Sequence, residues 1–356
     1  METTIDSRTM KSVAVTGTQQ LTMLHTPIPD CGPEDVLVRV AFCGICGSDV
    51  PRYFDGAVHG FPQVLGHEFS GTIAAVGENV TDVRPGDRVA VAPLVPCHAC
   101  GQCRAGHPSL CPRYSFIGSR QQGALAEYVR VPAANVVLVG DLPLRVAALV
   151  EPLTVALHAI ELVGVRPGQD AAVLGSGVIG LMSVISLRAK GARTVTVVDV
   201  NPWVLEVAKR FGATYAIDSS RTDPMEHFAA VGAPDLVIES AGAAPTRRLA
   251  LEVAAKNGAV VFVGTPTTDL TLDPDTFEHI LRKELTLRGS WMSYSAPFPG
   301  GEWSRAVRLL SDAEHPEEII THEFSLDEVA DGLAVMGNHQ EHRLKVLFRV
   351  DGEDRS

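Results

Sequence analysis

Short apolar runs separated by turn residues fill the chain from residue 12 to about residue 150. Each run is four to eight residues long, and glycine, proline or aspartate stands between the runs. This spacing predicts short β-strands joined by tight turns, which is typical of an irregular, β-rich domain. The runs cover residues 36–41, 71–76, 88–91 and 124–131.

The pattern changes after residue 142. Residues 145–163 are rich in alanine and leucine at helical spacing, which predicts one helix that ends before Gly164. From residue 171 onward, short apolar runs alternate with helical segments, and this alternation predicts a parallel sheet of about six strands with helices between them. We expect these strands at 171–174, 194–198, 215–217, 235–239, 259–263 and 285–288, and helices at 181–189, 202–211, 224–230 and 245–255.

A third change of pattern occurs near residue 295, where prolines and glycines interrupt the alternation. Helices at 302–312 and 326–338 and a strand at 344–350 follow, and we expect them to return to the first domain. The predicted fold class is therefore α/β. Its predicted domains are a catalytic domain, 1–155, with a cysteine-rich lobe at 97–111, a nucleotide-binding domain, 156–294, and a returning segment, 295–356.

A glycine-rich segment predicts a dinucleotide site in the second domain. In Gly175-Ser-Gly177-Val178-Ile179-Gly180 a predicted strand runs into a predicted helix, and Asp199 ends the next strand, 19 residues beyond Gly180. Such glycines permit a tight turn and close approach of a diphosphate, and the acid binds the adenosine ribose. The alternative is an ordinary tight turn. Because an acid repels a 2′-phosphate, NAD is predicted rather than NADP.

Charge and cysteine content narrow the class of protein further. Acidic residues outnumber basic ones by 42 to 30, so nucleic acids and anionic membranes are poor partners. No apolar run approaches the ~20 residues of a membrane helix, and residues 1–10 are too polar for a signal peptide. Seven cysteines, four of them within 15 residues, indicate a metal site in a reducing compartment. A cytoplasmic protein is the expectation.

Four closely spaced cysteines predict a structural metal site. Their pattern is Cys97-x2-Cys100-x2-Cys103-x7-Cys111. Four thiolates at this spacing can bind one tetrahedral Zn²⁺, and they leave no coordination position for water or substrate. An iron–sulfur cluster is the competing interpretation, because its cysteine ligands have similar spacing.

A more dispersed group predicts a second metal site. Cys43 and Cys46 lie in Cys43-Gly-Ile-Cys46-Gly-Ser-Asp, His67 and Glu68 are adjacent, and Glu151 precedes the nucleotide-binding domain. One thiolate, one imidazole and one or two carboxylates suit Zn²⁺ with an open position. A Cys43–Cys46 redox pair is the alternative, but it would leave the histidine, the glutamates and the NAD site unexplained.

These motifs resemble the zinc-dependent medium-chain dehydrogenases, and within them the polyol, or sorbitol, dehydrogenase group. Cys-Gly-x-Cys-Gly-Ser-Asp, Gly-His-Glu, the four-cysteine lobe and Glu-Pro-x5-His occur here in the family's order, and the resemblance covers residues 13–350. It implies a GroES-like catalytic domain, a Rossmann domain with a doubly wound parallel sheet, and two zinc ions per chain. It also implies a homodimer or homotetramer acting on a small polyol.

The resemblance also assigns roles to individual residues. It implies a catalytic zinc held by Cys46, His67 and a glutamate, either Glu68 or Glu151, and it implies that Ser48 hydrogen-bonds the substrate oxygen. Many relatives have a proton-relaying histidine three residues after this serine, where this chain has proline, so the proton must leave by another path. The backbone at Val263, Gly264 and Thr265 is expected to contact nicotinamide, because these residues follow a parallel strand.

Further stretches resemble group members that act on a hexitol phosphate. They are residues 46–52, 65–71, 116–120, 281–285 and 289–292. Arg52 and Arg120 lie within them and are candidate phosphate ligands, because a guanidinium binds phosphate in a planar, bidentate geometry. The predicted reaction is NAD-linked oxidation of a secondary alcohol to a ketone. A cyclitol or amino-sugar substrate is the alternative, and a zinc-free NADPH reductase or an NAD-binding regulator is disfavoured by the metal ligands.

Overall fold

The computed structural model describes residues 9–338 and 340–351. Two compact units divide the chain. Unit 1 contains the described residues up to Glu151 and those from Tyr294 onward, and unit 2 is Pro152–Ser293.

The first part of unit 1 consists mainly of short strands. They are β1 (Thr9–Gly17), β2 (Gln20–Pro27), β3 (Asp35–Gly44), β4 (Gln63–Val64), β5 (Glu68–Val76), β6 (Arg88–Val91), β7 (Leu94–Val95), β8 (Ser115–Phe116), β9 (Tyr128–Pro132) and β10 (Val136–Leu138). Three short helices accompany them, α1 (Asp49–Phe54), α2 (Gly101–Arg104) and α3 (Leu144–Ala147).

Strands and helices then alternate through unit 2. Its helices are α4 (Val150–Glu161), which begins at the end of unit 1, α5 (Val178–Ala189), α6 (Pro202–Arg210), α7 (Pro224–Val231), α8 (Ala244–Val253) and α9 (Pro274–Arg282). Its strands are β11 (Asp170–Leu174), β12 (Thr194–Asp199), β13 (Tyr215–Asp218), β14 (Leu236–Glu239), β15 (Ala259–Phe262) and β16 (Thr286–Gly289).

The last part of unit 1 adds two helices and two strands. They are α10 (Gly301–Asp312), β17 (Ile320–Ser325), α11 (Val329–Gly337) and β18 (Lys345–Arg349). A short 3₁₀ turn, Leu326–Glu328, leads into α11 and carries a capping box with Ser325.

The principal sheet of unit 1 places the last strand of the chain beside an early one. Its strand order is β10-β6-β5-β3-β18-β17, and β9 also pairs with β3. β18 runs antiparallel to β3, with Phe348 opposite Cys43 and Leu347 opposite Gly44. Phe348 is fully buried in the core that this sheet shares with α11. The returning segment is therefore built into the interior of unit 1.

Unit 2 contains the predicted parallel sheet, and this fold prediction is confirmed. Six parallel strands lie in the order β13-β12-β11-β14-β15-β16. The order reverses at β11, which creates the switch point where doubly wound sheets bind ligands outside the carboxyl ends of their strands. The central strands are buried runs of valine, leucine, isoleucine and alanine, as expected where helices cover both faces of a parallel sheet.

Two local predictions were wrong, and one helix was missed. Residues 145–163 form two helices, α3 and α4, because a turn at Ala148 and Leu149 interrupts them, where the Leu149 amide donates to the Val146 carbonyl three residues back at 2.9 Å. The run at 124–131 becomes a strand only from Tyr128. Helix α9 was not predicted, although Asp273 caps its first turn by accepting from the Thr276 amide.

The predicted cytoplasmic location stays a prediction. Every helix in the described part of the chain is too short or too polar to serve as a membrane span. All seven cysteines lie in the described residues, and none of them forms a disulfide bond.

Candidate active site and zinc centres

The loop between β3 and α1 carries the first candidate ligand, Cys46. Asp49 opens α1 and is completely buried, and its Oδ2 accepts a hydrogen bond of 3.1 Å from the Cys46 amide. This bond holds the loop in a tight turn over the first turn of the helix. Ser48 is the N-cap residue of α1, but its hydroxyl makes no capping hydrogen bond.

His67 and Glu68 lie where β5 begins, next to β3. Gly66 precedes them with a φ of +93°, and a Cβ there would lie 2.4 Å from the Cys43 sulfur, so the turn into β5 requires glycine. Both His67 and Glu68 are buried. Ligand atoms of Cys46, His67 and Glu68 lie within 4.8 Å of one another.

Lys345, the first residue of β18, is buried against these donors. Its Nζ forms an ion pair with Glu68 Oε2 and donates a 3.1 Å hydrogen bond to the Ile45 carbonyl. Gly44 makes room for this pair, because a Cβ there would lie 2.5 Å from Glu68 Oε2 and 3.3 Å from Lys345 Cδ. Burial lowers the pKa of Lys345, but the charges of Glu68 and Cys46 outweigh burial and raise it overall.

Glu151 faces the same group of charges from α4. Burial raises its pKa to about 8; His67 and Lys345 lower it, whereas Glu68 and Cys46 raise it further. Among the described residues, the donor atoms that converge here within 4.8 Å belong to Cys46, His67 and Glu68, and Glu151 is not part of this set. Burial and the charges of Glu68 and Asp49 raise the pKa of Cys46. Lys345 and the Ser48 hydroxyl lower it, but the net shift is upward.

The charges around this site fit a divalent cation. The acidic groups outnumber the cations, so when all are ionised the region carries an uncompensated negative charge that Zn²⁺ would balance. A thiolate, an imidazole and a carboxylate are also a zinc donor set with room for a further ligand. The acids are Cys46, Asp49, Glu68 and Glu151, and the cations are Arg52 and Lys345.

The four-cysteine lobe forms a second compact donor set. The sulfurs of Cys97, Cys100, Cys103 and Cys111 lie within 4.8 Å of one another. A hydrogen bond from Arg113 lowers the pKa of Cys97 to about 5, and burial raises that of Cys103 to about 12. Four sulfurs with one neighbouring guanidinium match a structural zinc site.

The glycine turn in unit 2 has the geometry that a diphosphate needs. Gly175 ends β11 with a φ of +93°, and a Cβ on Gly180 would lie 2.0 Å from the Gly175 carbonyl oxygen. Gly177 is the N-cap of α5, and no atom lies within 4 Å of where its Cβ would be. Val178 and Ile179 form the first turn of α5, so its free amides adjoin this open space.

Asp199 stands at the carboxyl end of β12 and is fixed by the glycine turn. Its Oδ2 accepts from the Ser176 amide at 2.6 Å and the Ser176 hydroxyl at 2.9 Å, and its Oδ1 accepts from the Asn201 amide at 2.9 Å. The residues Val263, Gly264 and Thr265 follow β15, as predicted from the sequence. Amides of Val263 and Gly264 donate to the Glu239 carbonyl at 2.8 and 3.0 Å.

The two arginines predicted to bind phosphate have different surroundings. Arg52 Nη1 donates to Ser48 Oγ at 3.0 Å and to Asp49 Oδ1 at 2.8 Å. Arg120 is exposed, and its guanidinium carbon lies 4.5 Å from the centre of the Tyr114 ring. The segment that leads to Arg120 lies against the candidate zinc site, because the Phe116 ring packs edge-on against His67 with centroids 5.5 Å apart.

Comparison with known proteins shows the family. Residues 32–141 match the family described as "Alcohol dehydrogenase GroES-like domain", and residues 178–312 match "Zinc-binding dehydrogenase". The chain belongs to the zinc-dependent medium-chain dehydrogenases, which confirms the family predicted from the motifs. The zinc-binding description also favours zinc over an iron–sulfur cluster.

Several relatives are similar over almost the whole chain. Galactitol 1-phosphate 5-dehydrogenase of Escherichia coli K12 is 41% identical over 327 residues, 90% of this chain and 94% of that protein. The crystal structure of the E. coli galactitol-1-phosphate dehydrogenase has a TM-score of 0.91 at 39% identity, covering 96% of this chain and 100% of that one. Sorbitol dehydrogenase of Bacillus subtilis is 33% identical over 95% of this chain and 96% of its own. An alcohol dehydrogenase of E. coli CFT073, solved with NADH, is 32% identical with a TM-score of 0.89, over 97% and 100% of the two chains.

Sequence reasoning missed three residues that shape these sites. Asp49 is the last residue of the motif that contains Cys43 and Cys46. Its position at the start of a helix could have suggested that it is buried against the loop that carries Cys46. Ser176 occupies a variable position of the glycine pattern, so only its bonds to Asp199 reveal its role. Lys345 is 277 residues from Glu68 in the chain, and no local pattern marks it.

The four-cysteine lobe gives a prediction about stability. Cys103→Ser should remove one zinc per chain and lower the melting temperature, because metal binding at such a site contributes directly to folding. Metal analysis and thermal melting measure both effects. Cys31→Ser is the matched control, since Cys31 is half-buried and lies outside both donor sets. An unchanged melting temperature in Cys103→Ser would contradict a structural metal.

Proposed function

We propose that this zinc-dependent dehydrogenase oxidises a secondary hydroxyl of a hexitol phosphate to a ketone with NAD as hydride acceptor, and catalyses the reverse reduction. The observation that carries the proposal is the convergence of Cys46, His67 and Glu68 as metal donors in a family of NAD-linked polyol dehydrogenases. The names of the relatives support a polyol and do not favour the cyclitol or amino-sugar alternative.

The proposed catalytic zinc ligands are Cys46, His67 and Glu68. Glu68 is preferred to Glu151 because its carboxylate converges with the other two donors, while Lys345 holds only one of its oxygens. When bound there, zinc acts as a Lewis acid that favours ionisation of the substrate hydroxyl. Asp49 faces His67, with Oδ1 at 3.8 Å from Nδ1, and helps to orient the imidazole.

Ser48 and Glu151 are proposed to handle the substrate hydroxyl and its proton. Ser48 lies two residues after Cys46, at the N-cap of α1, so it adjoins the loop that carries the first donor. Glu151 faces these donors from α4, and when ionised it can accept a proton from the substrate through water. This path replaces the histidine relay that proline at position 51 removes.

The proposed NAD site consists of the glycine turn, Asp199 and the residues after β15. The open space at Gly177 and the free amides of α5 suit the diphosphate. Asp199 already accepts three hydrogen bonds, which fix its carboxylate, and Oδ1, which accepts only one of them, keeps capacity for a ribose hydroxyl. Backbone groups of Val263, Gly264 and Thr265 are proposed to bind the nicotinamide amide. NAD is the oxidant, and the protein positions it.

A change of cofactor preference tests the role of Asp199. Asp199→Ser with Val200→Arg should shift the NAD/NADP ratio of kcat/KM by about tenfold or more toward NADP, because a repelling charge is lost and a guanidinium is gained. Val200 is the place for the arginine, since it is 67% exposed, whereas the side chain of Asn201 caps α6. Val200→Arg alone is the control. A ratio that does not move in the double variant excludes Asp199 as the ribose ligand.

Arg120 is the proposed phosphate ligand. It is exposed beside the segment that packs on His67, and stacking on Tyr114 fixes the plane of its guanidinium. Arg52 fits this role less well, because its Nη1 is already hydrogen-bonded to Ser48 and Asp49.

Substrate comparison tests the proposed function and the role of Arg120 together. With NAD and absorbance at 340 nm as the readout, the enzyme should oxidise galactitol 1-phosphate in preference to galactitol and sorbitol. Arg120→Ala should raise KM for the phosphate ester ~10-fold or more, the equivalent of ~1.5–3 kcal/mol for a charged hydrogen bond.

The unphosphorylated polyols are the control, because their kcat/KM should be nearly unchanged in Arg120→Ala. Equal losses on both kinds of substrate would make Arg120 structural. Preferential oxidation of a neutral polyol by the unaltered enzyme would exclude the phosphate, and preferential oxidation of a cyclitol would exclude the open-chain substrate.

A homodimer or homotetramer is the proposed assembly. The edge strand β16 supports it, because all four of its residues are exposed and Leu287 and Trp291 are apolar groups at that edge. An exposed edge strand offers free backbone groups to a second copy. Sedimentation velocity should therefore give a mass of two or four chains, and a 37.9 kDa species at micromolar concentration would contradict the proposal.

A further inference from the structure

Ser48 begins helix α1 without capping it. An N-cap serine ordinarily accepts a hydrogen bond from a backbone amide in the first turn of its helix. Here no such bond forms, and Ser48 Oγ instead lies 3.0 Å from Arg52 Nη1. The hydroxyl is thus held by a side chain one turn along the helix.

Arg52 is itself firmly anchored. Nη1 donates to Asp49 Oδ1 at 2.8 Å, and Asp49 is completely buried with its other oxygen bonded to the Cys46 amide. A guanidinium is planar and loses little freedom per hydrogen bond once one partner is fixed. Asp49 therefore sets the position from which Arg52 reaches Ser48.

The chemistry of arginine sets the direction of the Ser48 hydroxyl. A guanidinium has donors only and stays protonated, so Ser48 Oγ must accept from Arg52. The hydroxyl hydrogen must then point away from Arg52. Ser48 lies two residues after Cys46, whose sulfur converges with the ligand atoms of His67 and Glu68.

We propose that Arg52 is a positioning residue that keeps the Ser48 hydroxyl directed as a hydrogen-bond donor toward the substrate oxygen. This inference rests on the proposed contact of Ser48 with substrate. Ser48 then stabilises negative charge on that oxygen but passes no proton onward, because Arg52 cannot accept one and position 51 is proline. The substrate proton leaves by the separate route through water and Glu151.

A simpler role for Arg52 makes a different prediction. If Arg52 only neutralises the buried carboxylate of Asp49, its loss disturbs the Cys46 loop whether or not Ser48 has a hydroxyl. If Arg52 acts through Ser48, its effect vanishes once that hydroxyl is removed. A double-mutant cycle separates these two cases.

The cycle consists of Arg52→Gln, Ser48→Ala and the double variant, assayed with galactitol 1-phosphate, or with sorbitol if the ester is not turned over. Ser48→Ala should lower kcat ~100-fold, as expected for a group that bonds the reacting oxygen, and Arg52→Gln ~10-fold. The double variant should match Ser48→Ala within about twofold. Zinc content and NADH affinity should stay unchanged throughout.

A second readout does not depend on turnover. Binding of the same polyol to the enzyme–NADH complex, followed by NADH fluorescence, should weaken ~5-fold in Arg52→Gln, consistent with one misdirected hydrogen bond. It should weaken no further when Arg52→Gln is added to Ser48→Ala. Arg145→Gln is the matched control, because it breaks another arginine–carboxylate pair of unit 1, with Glu323, and should leave both readouts unchanged.

Three outcomes would overturn the inference. A ~10-fold loss from Arg52→Gln that persists in the Ser48→Ala background would show that Arg52 acts through Asp49. An Arg52→Gln enzyme with full kcat would show that it does not act at all. Full kcat in Ser48→Ala would instead refute the proposed role of Ser48, and the inference would fall with it. If Arg52→Gln does not fold, Arg52→Lys, which keeps a cation for Asp49, takes its place in the same cycle.

Discussion

The buried ion pair between Glu68 and Lys345 is the interaction on which the candidate zinc site depends. Burying a charge costs several kcal/mol, and only a close partner of opposite sign offsets that cost. Glu68 comes from β5 and Lys345 from β18, and β3 lies between these two strands with Gly44 leaving room for the pair. Without the ammonium, Glu68 would face Cys46 and Glu151 uncompensated. The order of β5, β3 and β18 in the sheet therefore allows Glu68 to lie beside the other candidate zinc ligands as a buried carboxylate.

Features made of residues close in the chain were predictable from the sequence. The four-cysteine lobe and the βαβ turn each lie within about 30 residues, the span of one such unit, so spacing alone determines what their side chains can reach. The parallel sheet of unit 2 was predictable for a related reason, because its central strands are buried apolar runs and each strand is separated from the next by a helix. These are the parts for which local pattern and tertiary structure agree.

Features that depend on contacts between distant segments were not predictable. Spacing left the choice between Glu68 and Glu151 open, and it gave no reason to connect Lys345 with either. Ser48 and Arg52 show a subtler limit. Both residues were recognised, but their hydrogen bond arises because the helix places them one turn apart, and it changed the role inferred for Arg52 from phosphate binding to orientation of a hydroxyl.

The central position of β18 also has a consequence for how the protein is made. β18 separates β3 from β17 in the sheet of unit 1, yet it is formed by the last described residues of the chain. On the ribosome, the glycine turn and the whole parallel sheet emerge before Lys345 does, and domains generally fold as units during synthesis. Unit 2 can thus complete its sheet before β18 has been made, whereas the edge of β3 that β18 covers stays open until then. Lys345 is the last residue of the candidate catalytic site to be synthesised, so this site cannot be complete before β18 has emerged.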